Sequence, residues 1–160
     1  MASKAEAALE IFKSHVGKEA GVGDWHTIDQ KQIDLFADAT LDFQFIHVDP
    51  EKSAELSPYK VTIAHGFLTL SLVVHLAESI PPEDPKAYEG MVMGINYGLD
   101  RVRFPAAVKV NSRVRGHREL ISVEPKGANA LQLKQKFTVE IEGESKPGCV
   151  AEMLARLIYS

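Results

Sequence analysis

Asp42 and His47 stand five residues apart in Asp42-Phe43-Gln44-Phe45-Ile46-His47, a carboxylate and an imidazole close enough along the chain to act on one water molecule. An imidazole with an ordinary pKa of about 6.5 exchanges protons near neutrality, and a carboxylate in a dry site can hold and orient the same water. An Asp after a helix is also a common cap or turn residue, so residue type alone leaves both roles open. His65, beside Gly66, could be a second base or could bond nearby backbone where the chain turns into the next helix. Asn96 could position a substrate or tie down a helix end. Asp49 reads as a cap, because Pro50 and Glu51 supply the first helical position and a dipole-favoured acid. His47, Asp49 and His65 match no recognised ligand motif, so no metal is expected.

The elements that must position these groups follow from periodicity. Ala5, Ala8, Leu9, Phe12 and Val16 share a helical face over residues 4 to 16, with Ser3 as cap and Gly17 as stop. A short strand at Trp25 to Ile28 precedes a helix capped by Asp29 and ending near Thr40, and another begins at Pro50 and stops by Ser57, ahead of Pro58. From Gly66 to Ile80 the chain is apolar on nearly every face, which predicts a helix of about 22 Å surrounded by protein. The PPEDP run at 81 to 85 ends it. Strands follow in MVMGINYG, VRF, VKVNSRVRGHREL, LQLKQKFTVEIEG and CVAEMLARLIY, the fourth with Leu131, Leu133, Phe137, Val139 and Ile141 alternating on one face. A buried helix and strands with one apolar face satisfy each other when the sheet wraps the helix, an α+β domain.

A chain of 160 residues fits one such domain. Its formal charge of −4 disfavours a nucleic-acid partner. The apolar run from Gly66 to Leu76 is too short for a membrane span, which needs about 20 residues. The first residues lack the pattern of a signal peptide, so a cytoplasmic location is expected. The single Cys149 reads as a small core residue.

Two stretches carry more than pattern: Asp42-Phe43-Gln44-Phe45-Ile46-His47-Val48-Asp49-Pro50 and Ile63-Ala64-His65-Gly66-Phe67-Leu68-Thr69-Leu70-Ser71-Leu72. They resemble the R-specific enoyl-CoA hydratase motif of the MaoC-like dehydratase family, especially its nodulation protein N-like branch. The likeness continues through Gly94-Ile95-Asn96-Tyr97-Gly98 and Val102-Arg103-Phe104-Pro105. The resemblance implies a single hot-dog domain over 1–160, a long buried central helix wrapped by an antiparallel sheet, paired into homodimers across sheet edges. It implies Asp42 and His47 as the catalytic pair and the Gly66 N–H as the oxyanion donor, with His65 and Asn96 as further substrate-binding candidates and no cofactor. Five positions in three places depart from the family pattern: Leu41 replaces a frequent Gly, Gln44-Phe45 a frequent Asn-Pro, and Tyr59-Lys60 a frequent Phe-Gly.

The implied reaction is reversible hydration of a trans-2-enoyl thioester, on coenzyme A or an acyl carrier, to an (R)-3-hydroxyacyl thioester, a step of fatty acid metabolism. It needs a base for water, an acid for the α-carbon and a donor for the charge that develops on the thioester oxygen. Arg101, Arg103, Arg113 and Arg115 could meet the phosphates of a coenzyme A carrier or belong to a solvated sheet face. Acyl-CoA thioesterases of the same fold carry an acid within the central helix, and Gly66 to Ala77 contains none. The remaining alternative is a non-catalytic acyl-thioester binding module.

Overall fold

The computed structural model describes residues 3–160. Helix α1 (Lys4–His15) is fixed by a reciprocal capping box between Ser3 and Glu6. Strands β1 (Glu19–Val22) and β2 (His26–Ile28) lead to α2 (Gln30–Thr40), whose cap is Asp29, accepting from the Gln32 N–H at 2.9 Å. Two short helices follow, α3 (Phe45–Val48) and α4 (Pro50–Leu56), the second capped by Asp49 as expected. Next come α5 (Gly66–Ser71) and α6 (Val73–Ala77), a 3-10 turn (Pro85–Tyr88), and the strands β3 (Met91–Arg103), β4 (Ser112–Pro125), β5 (Ala130–Ile141) and β6 (Cys149–Tyr159).

The strands form one antiparallel sheet in the order β1-β4-β5-β6-β3, with β2 also paired to β4, and the helices pack on its inner face. This is the hot-dog arrangement. Toward one end of the strands, Leu68, Leu72, Val73 and Leu76 pack on Val114, Phe137, Val139 and Ala151. Toward the other, Ala5, Ala8 and Phe12 of α1 cover Leu120, Leu131, Leu133 and Tyr159, and burying a side chain such as Phe12 contributes about 1.5–3 kcal/mol. Glu83, from the PPEDP loop, is held by Arg118, Tyr88 and Gln135 where the loop crosses the sheet. Cys149 is buried, and burial pushes its thiol up to about 11.

Several details differ from the sequence reading: β1 was not expected, and the strand expected from Val108 begins at Ser112. The expected strands MVMGINYG and VRF are one 13-residue strand, because bulges at Asn96/Gly98 and Leu99/Arg101 absorb the residues that read as a break. The central helix tightens at Leu72 into two segments. It is also not covered all round: Leu68, Thr69, Leu72, Val73 and Leu76 are buried, whereas Phe67, Val74 and His75 lie on an open face. Beside that face runs β3, whose Val92, Met93, Ile95, Tyr97 and Leu99 are exposed in the single chain. Among the described residues no helix is long and apolar enough to cross a membrane.

Candidate active site

Leu41 ends α2 in the left-handed region, φ 62° and ψ 26°, its N–H bonded to the Ala37 carbonyl at 2.7 Å. That reversal throws Asp42 out of the helix. The single turn of α3 then brings His47 inward, where it is buried. The segment is locked to the strand-like run before α5 by paired bonds: the Ile63 N–H donates to Ile46 O at 2.9 Å, and His47 Nδ1 donates to Ile63 O at 2.7 Å. Gln30 ties both together, donating to His47 O at 2.8 Å and accepting from the Thr62 hydroxyl at 2.5 Å.

A carbonyl oxygen can only accept, so the bond to Ile63 places the His47 proton on Nδ1 and leaves Nε2 as a bare acceptor. Burial lowers the His47 pKa below its ordinary 6.5; the Ile63 bond opposes this, His65 adds to it, and the Asp42 charge opposes it. The net direction keeps the ring neutral at physiological pH. Asp42, His47 and His65 each present an atom within 4.8 Å of the others.

His65 is buried and donates Nε2–H to the Asp42 carbonyl at 3.0 Å, so it holds the backbone of the corner that carries Asp42. Its ring stacks on His47 with centroids 3.8 Å apart and planes 24° from parallel, and Phe36 closes its other side at 4.9 Å. The carbonyl bonds occupy His47 Nδ1 and His65 Nε2 and leave the other nitrogen of each ring free, as in a histidine that ligates a metal.

Gly66 opens α5, and its neighbour His65 occupies the cap position without a side-chain cap bond. The N–H groups of a first helical turn have no partner within the helix. A Cβ at Gly66 would lie 3.0–3.1 Å from the Phe104 ring, so glycine here provides room rather than a special φ. His47, Tyr59, Gly66, Thr69 and Phe104 line a cavity of about 220 Å³. Asn96 does not join them: it lines a separate hollow with Leu70, Val74 and Leu99. Phe45 lies under the Lys52 ammonium at 4.9 Å, whereas Tyr59 reaches the cavity. The supporting residues Gln30, Thr62 and Ile63 carried no sequence signal as site residues.

A larger cavity, about 530 Å³, lies on the outer sheet face around His117. His117 bonds Glu19 at 2.9 Å and Glu140 at 2.6 Å. Burial works against its charge, but the two carboxylates outweigh it and raise the pKa. With both ring nitrogens engaged, this histidine cross-links strands and offers no free proton acceptor.

The family model described as MaoC like domain matches residues 12–140. The 3-hydroxyacyl-thioester dehydratase Z of Mycobacterium tuberculosis (strain ATCC 25618 / H37Rv) is 47% identical over 142 residues, 89% of this chain and 90% of that protein. Nodulation protein N of Rhizobium leguminosarum bv. viciae is 48% identical over 149 residues, 93% of this chain and 90% of that protein. The crystal structure of a MaoC-like dehydratase from Rhodospirillum rubrum superposes with a TM-score of 0.70 at 15% identity, covering 91% of this chain and 93% of that one. With a family model over most of its length and relatives near half-identical across nine-tenths of it, the chain belongs to the MaoC-like dehydratase family of hydro-lyases.

Proposed function

We propose that the protein catalyses reversible hydration of a trans-2-enoyl thioester to the (R)-3-hydroxyacyl thioester. The observation that carries this reading is the state of His47: Nδ1–H is fixed on Ile63 O and Nε2 is left as an acceptor, in a ring that lines the cavity with Gly66 and lies within 4.8 Å of the exposed Asp42 at their nearest ligand atoms. One water held between Asp42 and His47 Nε2 gives its proton to His47 as its oxygen attacks the β-carbon. The thioester oxygen, gaining negative charge, accepts from the Gly66 N–H, and the α-carbon then takes up the proton that His47 received from the water, which returns the imidazole to its neutral form. His65 acts as a positioning residue through the Asp42 carbonyl and the ring stack. Asn96, in its separate hollow, has no part in the chemistry of one chain.

The helix that begins at Gly66 carries no carboxylate through Ala77, which favours hydration over the thioesterase alternative. A crotonyl-CoA assay tests the reading. Loss of enoyl absorbance without free thiol is the expected result; free thiol would indicate a thioesterase, and no reaction a binding module. The same proposal includes a homodimer, supported by the exposed apolar strand β3 and the adjoining Phe67 and Val74, a continuous surface suited to a second copy. Light scattering that finds a monomer at micromolar concentration would count against the pairing.

A further inference from the structure

Four arginines alternate on β3 and β4, and the structure divides them into two pairs. Arg113 meets Glu142 at 3.1 Å, and Arg115 grips Glu140 through bonds of 2.7 and 3.2 Å. Both guanidinium groups lie over the Trp25 ring. These two are committed to the sheet. Arg101 and Arg103 have no carboxylate partner among the described residues, and Arg103 bonds only the neighbouring Val102 carbonyl at 2.7 Å.

The register fixes where they point. Arg103 pairs with Val150, Arg101 with Glu152, and Glu152 with Lys136 on the next strand. Residues paired across an antiparallel ladder share a face, so these side chains project from the face away from the helices. Arg101, Arg103, Lys136, Val150 and Glu152 line one groove of about 310 Å³. Glu152 is the one carboxylate in that lining, and Lys134 holds it at 3.2 Å. Three cations thus share the groove with one carboxylate, and Lys134 divides its charge between that carboxylate and Asp100.

The chain links the lining of the groove to that of the catalytic cavity at two points. Arg103 immediately precedes Phe104, whose ring lies over Gly66, and Val150 stands two residues beyond Gly148, which lines the cavity. Arg101 is three residues from Phe104, about 10 Å of strand. An arm leaving the cavity past Phe104 needs about that length to come level with Arg101.

We propose that this groove binds the phosphates at the nucleotide end of an acyl-coenzyme A, with Arg101 and Arg103 as forked donors and Lys136 as a point charge. The proposal rests on the enoyl-thioester reading of the cavity. A small groove with three cations suits a dense polyanion. An acidic carrier-protein surface would also meet Glu19, Glu119, Glu140 and Glu144, which line the larger hollow on the other side of Lys136.

The test compares the intact protein with an Arg101→Gln/Arg103→Gln double variant, using adenosine 3′,5′-bisphosphate in calorimetry and crotonyl-CoA against crotonyl-pantetheine in kinetics. The wild type should bind the bisphosphate with an affinity that falls as salt rises. The double variant should lose that binding and raise KM for crotonyl-CoA by about tenfold or more at unchanged kcat, with crotonyl-pantetheine unaffected. Arg113→Gln, whose charge is already paired, should change none of these. Absence of bisphosphate binding to the wild type, equal binding by the double variant, or equal damage to crotonyl-pantetheine turnover would each overturn the assignment. Arginine-dependent sensitivity toward a carrier-protein substrate, with no bisphosphate binding, would overturn it in favour of that carrier. If the bisphosphate binds through the arginines but no thioester is hydrated, the groove stands and the hydratase reading falls.

Discussion

Replacing Leu41 by Gly should make the protein more stable, although Leu41 sits next to the proposed catalytic carboxylate. Leu41 holds φ 62° and ψ 26°, where a Cβ crowds the following carbonyl at a cost of about 1–2 kcal/mol. Its side chain is 76% exposed, so truncation gives up little burial. Glycine loses more chain entropy on folding, which offsets about 0.4–1 kcal/mol of the relief. The balance is a stabilisation of about 0.5–1 kcal/mol. For a chain of this size, that corresponds to roughly 2 °C in Tm. Leu41→Ala keeps the Cβ and should gain nothing. Lys60 has the same φ of 62°, but its ammonium bonds the Glu55 carbonyl at 3.1 Å, so Lys60→Gly should gain less. Calorimetry, with urea unfolding to check that the m-value is unchanged, measures the series. A fall in Tm for Leu41→Gly, or an equal gain for Leu41→Ala, would refute the argument that backbone strain is stored at this corner.

Other outcomes follow from the same geometry. Asp42→Asn and His47→Gln should each cut kcat/KM by about 10²–10⁴, and the double variant should be scarcely worse than either, because residues acting on one water fail together. Asp49→Asn keeps an acceptable cap and should retain most activity. Protonation removes the acceptor on His47 Nε2, and burial holds its pKa below 6.5, so kcat/KM should stay level above pH 6.5 and fall only on the acid side. An acid limb centred above 6.5 would contradict that environment. His117 has the opposite sign: its folded pKa is raised, so its stabilisation is complete below 6.5 and fades as pH rises through the folded value. Thermal unfolding as a function of pH should show that decline in the wild type and a flatter profile in His117→Gln.

Much of this fold was legible in the chain because its signals are local. Ser3, Asp29 and Asp49 cap the helices they were expected to cap, and the alternation of Leu131 to Ile141 gave the inner face of β5 directly. The exposed side of α5 and α6 was not legible. Phe67 and Val74 are as apolar as Leu68 and Val73, and composition cannot distinguish a face covered by the same chain from one left open in a single copy. Arg101 and Arg113 read alike for a similar reason, since only the register shows that Glu142 neutralises one and leaves the other unmatched.

The two corners where this chain departs from a family glycine show what the sequence signal for a site consists of. At Leu41 the left-handed turn releases Asp42 from α2, and at Lys60 a second such turn leads into the Thr62-Ile63 run that accepts the His47 proton bond. Both positions hold a left-handed conformation, of the kind glycine adopts freely, without a glycine. Leu41 does so with its N–H bonded to Ala37 at one side and the adjacent Asp42 carbonyl held by His65 at the other, and Lys60 with its N–H on the Ser57 carbonyl. Neighbouring contacts therefore set the backbone path, against the local preference of the side chain. A reading that relies on residue type sees doubt at 41 and 60, whereas the turns are held by hydrogen bonds, local ones to Ala37 and Ser57 and, at 41, a long-range one from His65 to the Asp42 carbonyl. This is also why His65 matters beyond its own chemistry: replacing it with Phe keeps a ring against His47 but removes the donor to Asp42 O, and the corner at Leu41 then loses one of the restraints that hold its unfavourable φ.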